Sequence, residues 1–282
     1  MTEEKQRDKT ENFHDALIQH GPLSQRIYLM KLGDAEPESL IPAMQELAEK
    51  NAYTKIFAKV AKKDAEKFLN SGYEKEAEIP GFYNGKDAGM FLAKYLSDQR
   101  RNEKDIEDIE KVMELAQEKI RGGVTPFLPG DVILRWCIPE DAEVMSQIYK
   151  KVFDSYPFPI DNPDYLIETM REHIVYFGIE IEGKLVSLAS SEMDKTAENV
   201  EMTDFATLPE YRGRSFAVRL LKYMESQMKT HGIKTAYTIA RAVSAGMNIT
   251  FAKSGYHYAG RLKSNTNISG SIESMNVWYK NL

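Results

Sequence analysis

Apolar positions along the chain follow two repeats, the two-residue repeat of strands and the three-to-four-residue repeat of helices. The amino-terminal third predicts a strand, a helix, a strand, a helix and two strands, at residues 26–31, 39–50, 53–60, 61–70, 73–78 and 88–96. The carboxyl-terminal half predicts strands at 132–137, 199–207, 233–240, 256–262 and 274–280, two more around the turn Glu182-Gly183, and helices at 140–153, 165–172, 215–230 and 245–253. This alternation of strands and helices predicts an α/β protein, or an α+β protein in some schemes.

A charged segment separates the two predicted regions. It has a narrow apolar seam, formed by Ile106, Ile109, Met113, Ala116 and Ile120. The spacing predicts a helix over 102–121, which we interpret as a linker helix packed on one or both domains. A coiled-coil dimer is the alternative, but the seam is short for one. Gly122-Gly123, Pro126 and Pro129-Gly130 predict a loop after the helix. We therefore divide the chain into a disordered or irregular segment (1–24), an amino-terminal domain (25–98), a linker (99–130) and a second domain (131–282).

Length, charge and composition argue against a nucleic-acid-binding protein and against a membrane-spanning protein. A length of 282 residues suits two domains, and a net charge of −6 argues against nucleic acid as the main partner. No apolar stretch reaches about 18 residues and the charged amino terminus has no signal sequence, which favours a cytoplasmic protein without a membrane span. Cys137 follows Trp136 in an apolar run, so we interpret it as a buried bystander. We expect no metal cofactor.

The segment L-P-E-Y-R-G-R-S-F-A at 208–217 carries the most chemical information. A strand with Glu201 and Asp204 leads into a proline, an Arg-Gly-Arg turn and an amphipathic helix. Backbone N–H groups and two guanidinium groups then lie at the positive end of a helix dipole, where an anion such as pyrophosphate binds well. The segment resembles the acetyl-coenzyme A loop of the GNAT N-acetyltransferases, whose pattern is Q/R-x-x-G-x-G/A. Ser215 stands where this family usually has glycine, and we expect the serine to preserve binding or to cap the helix.

The resemblance implies a GNAT acyltransferase fold with a mixed, mostly antiparallel sheet, and acetyl-CoA as co-substrate. The expected cofactor-binding residues are the strand positions Phe205, Ala206 and Thr207, the loop and helix positions Arg212, Gly213, Arg214, Ser215, Phe216 and Ala217, and Asn248. In the family, the strand before the loop splays from its neighbour and pairs with the pantetheine arm.

The expected reaction is direct attack of an amine on the thioester, without a covalent enzyme intermediate. A primary amine of pKa about 10.4 is almost wholly protonated at neutral pH, so a carboxylate base is needed. Glu201 matches the position of a glutamate that many family members use, and Asp204 is the second candidate. The family's tyrosine general acid is replaced by Phe251, for which Tyr256 or Tyr258 could substitute; the thiolate could also leave unaided.

The chain also contains an internal repeat. F-L-N-S-G-Y at 68–73 matches F-A-K-S-G-Y at 251–256, and each is followed by a strand that begins with methionine, at 90–95 and 275–280. We infer that residues 25–96 are a degenerate copy of the carboxyl-terminal part of a GNAT domain. The copy has the acidic segment 31–36 in place of the Arg-Gly loop and should not bind the cofactor.

The residues at 240–256 and 265–278, together with 79–88, resemble the β-lysine N-acetyltransferases. This resemblance implies acetylation of the ε-amino group of β-lysine, which makes the compatible solute Nε-acetyl-β-lysine. Arg241 is the candidate contact for the substrate carboxylate, and the candidates for the β-amine are Asn265, Asn267 and Glu273. The alternatives are a GNAT enzyme for another small amine, such as a polyamine or lysine, and a non-catalytic CoA-binding sensor. Whether the chain forms a homodimer is left open.

Overall fold

The computed structural model describes residues 8–120 and 132–282. The loop predicted around Gly122-Gly123, Pro126 and Pro129-Gly130 lies outside these ranges. The amino-terminal half contains β1 (Lys9–Phe13), β2 (Ala16–Gly21), β3 (Arg26–Lys31), α1 (Pro37–Lys50), β4 (Lys55–Ala61), α2 (Lys62–Leu69), β5 (Glu74–Tyr83) and β6 (Asp87–Tyr95). The helices α3 (Asp98–Arg101) and α4 (Ile106–Glu118) follow.

The carboxyl-terminal half has four strands before the predicted anion loop. Its elements are β7 (Val132–Trp136), α5 (Ala142–Val152), α6 (Pro163–Glu172), β8 (Ile174–Ile181), β9 (Lys184–Asp194), β10 (Asn199–Thr207), α7 (Phe216–Thr230), β11 (Thr235–Arg241), α8 (Ala245–Lys253), β12 (His257–Ile268) and β13 (Ser271–Asn281). Most bounds agree with the prediction within two residues. The largest difference is at β12, which continues through polar residues to Ile268.

All strands of the described residues form one sheet, in the order β1-β2-β3-β4-β6-β5-β12-β13-β11-β10-β9-β8-β7. Only β3–β4 and β10–β11 pair in parallel, so the sheet is mixed and mostly antiparallel, as predicted. The prediction of a disordered or irregular segment at 1–24 is wrong for residues 9–21. These residues form β1 and β2, and Ala16 and Ile18 in β2 are almost fully buried in the amino-terminal core. The alternation of β2 is interrupted by Gln19 and His20, which are buried polar residues, and this hid the strand from a search for apolar periodicity.

The two halves share a connection and pairing pattern. The order β3-α1-β4-α2-β5-β6 has the same partners as β10-α7-β11-α8-β12-β13. Each half of the sequence repeat ends its helix in the same turn, in which the N–H of the final tyrosine donates to the carbonyl of the phenylalanine five residues earlier. The rings of Phe68 and Tyr73 lie 5.2 Å apart and those of Phe251 and Tyr256 lie 5.1 Å apart, both edge to face.

Strand pairing corrects the alignment of the final strands by one residue. Glu74 pairs with Ala93 and His257 with Tyr279, which makes Lys94 equivalent to Lys280. Both lysines lie over the tyrosine ring of their own half, at 5.9 and 5.7 Å. A slip of one residue would place these side chains on opposite faces of the sheet, so the match between methionines 90 and 275 is not a structural equivalence.

The halves join at β5 and β12, where Ala77 pairs with Gly260. A mixed apolar cluster covers this junction and takes side chains from both halves, among them Tyr28, Phe57, Tyr237 and Leu262. Helix α4 packs against α8 through Ile109, Val112 and Ala116, while Ile106 and Ile120 are exposed. The strands of the amino-terminal half therefore continue the sheet of the carboxyl-terminal half, and the proposed domain limits remain a prediction.

Candidate active site

A cleft opens within the carboxyl-terminal half of the sheet, where β10 and β11 separate. The two strands pair only through Asn199, Val200 and Glu201, although β10 continues to Thr207. The pairing of β10 with β9 shifts between Thr203 and Ala206, and Asp204 adopts a φ of +54°. Such a bulge bends and twists a strand, which is the physical reason for the separation. The splayed strand expected from the sequence is therefore present.

A cavity of about 710 Å³ fills this cleft and takes its walls from both halves of the chain. Phe205 and Thr207 line it, whereas Ala206 is 1% exposed and points into the core. From the expected loop, Arg212, Gly213, Arg214, Ser215, Phe216 and Ala217 all line the cavity. The amino-terminal half supplies Gln19, Arg26, Tyr28, Met30, Phe57 and Lys59.

The loop before α7 has the geometry of an anion site. Gly213 adopts a φ of +80°, and an added Cβ there would meet nothing within 4 Å, so the backbone is open to a ligand. The first N–H groups of α7 lie at the cavity wall, and Arg212 and Arg214 lie beside them. The Arg214 guanidinium lies 5.2 Å from the centre of the Tyr211 ring. These groups fit the pyrophosphate of a coenzyme A molecule.

Ser215 does not cap the helix as the sequence suggested. It adopts a left-handed conformation, with φ 61° and ψ 27°, and its side chain makes no capping hydrogen bond. A capping residue normally has extended backbone angles, and the left-handed turn prevents this geometry. The same conformation explains why glycine is usual at this position in the family.

Three carboxylates line the cavity near the point where the strands separate. Glu201 lies directly opposite Glu192 in the pairing of β10 with β9, and Asp204 lies in the bulge. Burial and the charge of Glu192 raise the pKa of Glu201 to about 7, against the attraction of Lys59. Glu201 is thus a carboxylate that exchanges a proton near neutral pH.

Asp204 is a weaker candidate for the base. It is 8% exposed and accepts hydrogen bonds from the hydroxyl groups of Tyr156 (2.5 Å) and Ser190 (2.6 Å). Burial raises its pKa, and the two hydroxyl groups oppose the shift. Because both bonds hold the carboxylate in place, the geometry favours Asp204 as a fixed negative charge and Glu201 as the proton acceptor.

Glu192 and Lys59 also line the cavity, and no pattern in the sequence indicated either residue as functional. Burial favours a raised pKa for Glu192, but His173 and Lys59 outweigh it and the pKa is lowered, so this carboxylate stays ionised. The Lys59 ammonium donates to the Tyr237 hydroxyl at 3.1 Å, and Lys59 and Tyr237 both act to lower the pKa of Glu201. Burial lowers the pKa of Lys59, but Tyr237, Tyr28 and Glu201 more than reverse this shift and keep the lysine protonated. Lys59 could not be found from sequence, because it comes from the half that lacks a cofactor loop.

Comparison with known proteins agrees with this geometry. A family model described as the acetyltransferase (GNAT) family matches residues 143–256. The chain is 41% identical, over 97% of its length and 98% of the relative, to a β-lysine N(6)-acetyltransferase from Methanococcus maripaludis. The chain belongs to the GNAT family. It is an acetyl-CoA-dependent N-acetyltransferase.

Two further relatives also match nearly full length. An N-acetyltransferase from Bacillus subtilis, YodP, is 32% identical over 95% of this chain and 96% of its own. A second β-lysine N(6)-acetyltransferase, from Methanosarcina mazei, is 30% identical over 87% of this chain and 97% of its own. The similarity therefore includes the amino-terminal half, which contributes to the cavity of this GNAT enzyme.

The expected substrate contacts are only partly brought together. Arg241 and Asn265 line the cavity, but Arg241 forms a bidentate ion pair with Glu273 at 2.7 and 2.8 Å. Glu273 and Asn267 are not among the described residues that line the cavity. The Asn267 side chain instead accepts a hydrogen bond from Ser155. An arginine already neutralised by a carboxylate is a poor site for a second one, so the assignment of Arg241 is not supported.

Asn248 is a structural residue of this GNAT fold and does not line the cavity. It is fully buried, donates to the carbonyl groups of Arg241 and Ser244, and accepts from the side chains of Asn276 and Trp278. All of its hydrogen-bonding groups are therefore used within the protein. The assignment of Asn248 to cofactor binding was wrong for this reason.

Neither tyrosine suggested as a general acid is in the cavity wall formed by the described residues. Phe251 lines the cavity, whereas Tyr256 lies behind it and Tyr258 is 41% exposed on β12. Cys137 is also remote from this chemistry, and burial raises the pKa of its thiol to about 12.

No cluster of three or more His, Cys, Asp or Glu in residues 8–120 and 132–282 is arranged to hold a metal ion. Within the same ranges, no helix has the length and apolar character needed to cross a membrane.

Proposed function

We propose that the enzyme transfers the acetyl group of acetyl-CoA to the ε-amino group of β-lysine, with Glu201 as general base. The position of Glu201 carries the mechanistic part of this proposal: it faces the cavity at the point where β10 and β11 separate, with a pKa of about 7. The nearly full-length similarity to two β-lysine N(6)-acetyltransferases supports the choice of acceptor.

The carboxylates have separate roles in this proposal. Glu192 and Asp204 are negative charges that attract the protonated amine into the cavity. Glu201 takes a proton from the ammonium, directly or through a water, and so generates the nucleophile. A base of pKa about 7 is matched to neutral pH, since it is partly ionised and still holds the proton well.

The co-substrate side of the cleft has the groups that acetyl-CoA requires. When bound, acetyl-CoA supplies an activated thioester. The loop before α7 and its two arginines would hold the pyrophosphate, while the backbone of β10 beyond Glu201 is free of β11 to pair with the pantetheine amides. A backbone N–H of this strand would stabilise the oxyanion.

The mechanism is tested by replacing Glu201 with glutamine and measuring kcat/KM for β-lysine from pH 5.5 to 9. In the wild type, activity requires ionised Glu201 and should therefore rise with pH through about 7. Glu201→Gln should lower kcat by roughly 10²–10⁴-fold and remove the rise near pH 7, with acetyl-CoA affinity retained. If Glu201→Gln keeps the wild-type kcat and the rise of kcat/KM near pH 7, Glu201 is not the base.

The acceptor is tested with a panel of β-lysine, lysine, putrescine and spermidine, compared by kcat/KM for thiol release. We expect the highest value for β-lysine and acetylation at its ε-nitrogen, which mass spectrometry of the product can locate. A preference for a polyamine would contradict the proposed acceptor and leave the acetyl transfer itself intact.

We also propose that the product is used as a compatible solute. The support is the resemblance to the β-lysine N-acetyltransferases, which make Nε-acetyl-β-lysine for this purpose. Deleting the gene should abolish accumulation of this compound in cells grown at high salt. Normal accumulation in the deletion strain would refute this role.

A further inference from the structure

A buried arginine from the amino-terminal half faces the active-site cavity. Arg26 is 4% exposed and lines the cavity together with Tyr28, two residues further along β3. Its guanidinium lies 5.4 Å from the centre of the Tyr28 ring, and the Lys59 ammonium lies 5.8 Å from the same centre. Arg26 is thus connected through Tyr28 to the lysine that adjoins Glu201.

The guanidinium of Arg26 has only neutral partners. It donates through Nη1 to the Asn265 carbonyl at 2.7 Å and to the Thr266 hydroxyl at 2.9 Å, while Nε is buried without a partner. No carboxylate of the described residues lies within ion-pair distance of it. Arg26 therefore differs from Arg241, which Glu273 already neutralises.

The surroundings of Arg26 have an excess of positive charge. Arg100, also buried, donates to the same Asn265 carbonyl, at 3.3 Å. Lys55 and Glu76 neutralise each other in a buried pair at 2.8 Å. Asp8 attracts Arg26 from a longer distance, but its carboxylate accepts hydrogen bonds from the backbone of Leu23 and Ser24. Burial lowers the pKa of Arg26 to about 10, and the group remains charged at neutral pH.

A buried cation without a counter-ion is costly, and an anionic ligand would remove that cost. We propose that Arg26 binds the carboxylate of the acceptor, so that the cavity selects an amino acid over an amine that lacks a carboxylate. The two charged ends of a diamino acid then have separate contacts: the amine meets the carboxylates around Glu201, and the carboxylate meets Arg26. The inference rests on the proposed function in that the acceptor amine is acetylated in this cavity.

The test compares β-lysine with β-lysine amide, which keeps both amines and loses the negative charge. In the wild type, kcat/KM should be roughly 100-fold higher for β-lysine, mainly through KM, because the amide leaves a buried charge unpaired. Arg26→Gln should lower kcat/KM for β-lysine by roughly 100-fold and that for the amide by less than about threefold. Arg26→Lys should recover part of the preference, since it keeps the charge but loses the planar fork.

Arg100→Gln is the matched control. It removes a second buried guanidinium from the same Asn265 carbonyl, but Arg100 does not line the cavity. Its effect on the two acceptors should be equal, so the ratio of their kcat/KM values stays at the wild-type level. Acetyl-CoA affinity and thermal unfolding are measured for every variant. A loss in Arg26→Gln that is equal for both acceptors would identify Arg26 as structural and overturn the proposal.

The other possible results distinguish failure of the Arg26 proposal from failure of the proposed acceptor. Equal wild-type use of β-lysine and its amide overturns the role of Arg26, even if Arg26→Gln does not fold. If the wild type ignores β-lysine and acetylates another amino acid, the proposed acceptor fails while the acid and amide of that amino acid test Arg26 in the same way. If the acceptor it uses has no carboxylate, both proposals fail.

Discussion

Ser215 shows how one backbone conformation shapes the cofactor site. The residue begins α7 at φ 61°, where a side chain costs about 1–2 kcal/mol relative to the right-handed conformation. The chain accepts this cost because the left-handed turn directs the first N–H groups of α7 toward the cavity. Serine is small and not β-branched, so it tolerates the left-handed conformation. Its presence in place of the family's glycine therefore leaves the backbone of the turn unchanged.

Substitutions at Ser215 should follow backbone preference rather than polarity. Ser215→Gly should leave the acetyl-CoA Kd within about threefold and change the free energy of unfolding by less than about 1 kcal/mol. Ser215→Val should raise the Kd by roughly tenfold, because a β-branched residue strongly disfavours a positive φ. Calorimetric titration and urea unfolding measure these two quantities. Equal binding by the glycine and valine variants would show that the turn is not needed for the cofactor.

At the scale of elements, the contact between β5 and β12 determines how the halves meet. Gly260 pairs with Ala77 at a φ of +146°, and an added Cβ would lie 2.1 Å from the Glu76 carbonyl oxygen. Beside it, the Glu76 carboxylate accepts from the Lys55 ammonium and from the Lys263 backbone at 2.7 Å. Glycine is therefore required where the two strands approach most closely.

Gly260→Ala should destabilise the protein by roughly 3 kcal/mol, because the methyl group forces two backbones apart. We also expect a higher KM for the acceptor, since the amino-terminal wall of the cavity depends on this junction. Gly246→Ala is the control: its added Cβ meets nothing within 4 Å, and it should be neutral or slightly stabilising within α8. Urea unfolding of both variants checks the difference, and equal stability would contradict the role given to the junction.

At the scale of the whole molecule, the active site is shared between the halves. Lys59 of β4 lines the same cavity as the carboxylates of β9 and β10, and its charge acts to lower the pKa of Glu201. The amino-terminal half has the acidic segment 31–36 in place of an Arg-Gly-Arg loop, and it supplies a cation that tunes the proposed base. This contribution gives the amino-terminal half a physical role in the site that does not require it to bind acetyl-CoA.

Removing the Lys59 charge should therefore alter the pH dependence of the enzyme. In Lys59→Met, Glu201 loses its attractive partner and its pKa rises above about 7, so a higher pH is needed to ionise it. The rising limb of kcat/KM should move to higher pH, and activity at pH 7 should fall more than activity at pH 9. Lys59→Arg keeps the charge and should retain the wild-type limb. An unchanged limb in Lys59→Met would mean that Glu201 is not the titrating group.

Local signals in the sequence predicted the strand, the turn and the helix that form the loop side of the cavity. The helix at 215–230 and the strand at 199–207 were readable from periodicity, and the Arg-Gly-Arg turn between them identified the anion loop. The interactions that shape this segment connect residues close together in the sequence. The segment alone is therefore enough to predict its local structure. Two predictions were wrong: that Asn248 binds the cofactor, and that the amino terminus is disordered or irregular over residues 9–21. Both errors arose because a buried polar side chain looks the same in sequence whether it faces a ligand, the solvent or the core.

The sequence by itself determined the α/β alternation and the internal repeat, and it indicated the candidate cofactor loop and Glu201 as candidate base. Only the tertiary structure decided which charges meet. Arg241 and Glu273 pair and neutralise each other, whereas Lys59 and Arg26 cross from the other half into the cavity. Periodicity reports which face of an element is buried, but charge pairing depends on distances between strands that are far apart in the chain. The acceptor side of the cavity is formed by charged residues from strands that are distant in sequence. Its arrangement therefore could be determined only from the folded structure.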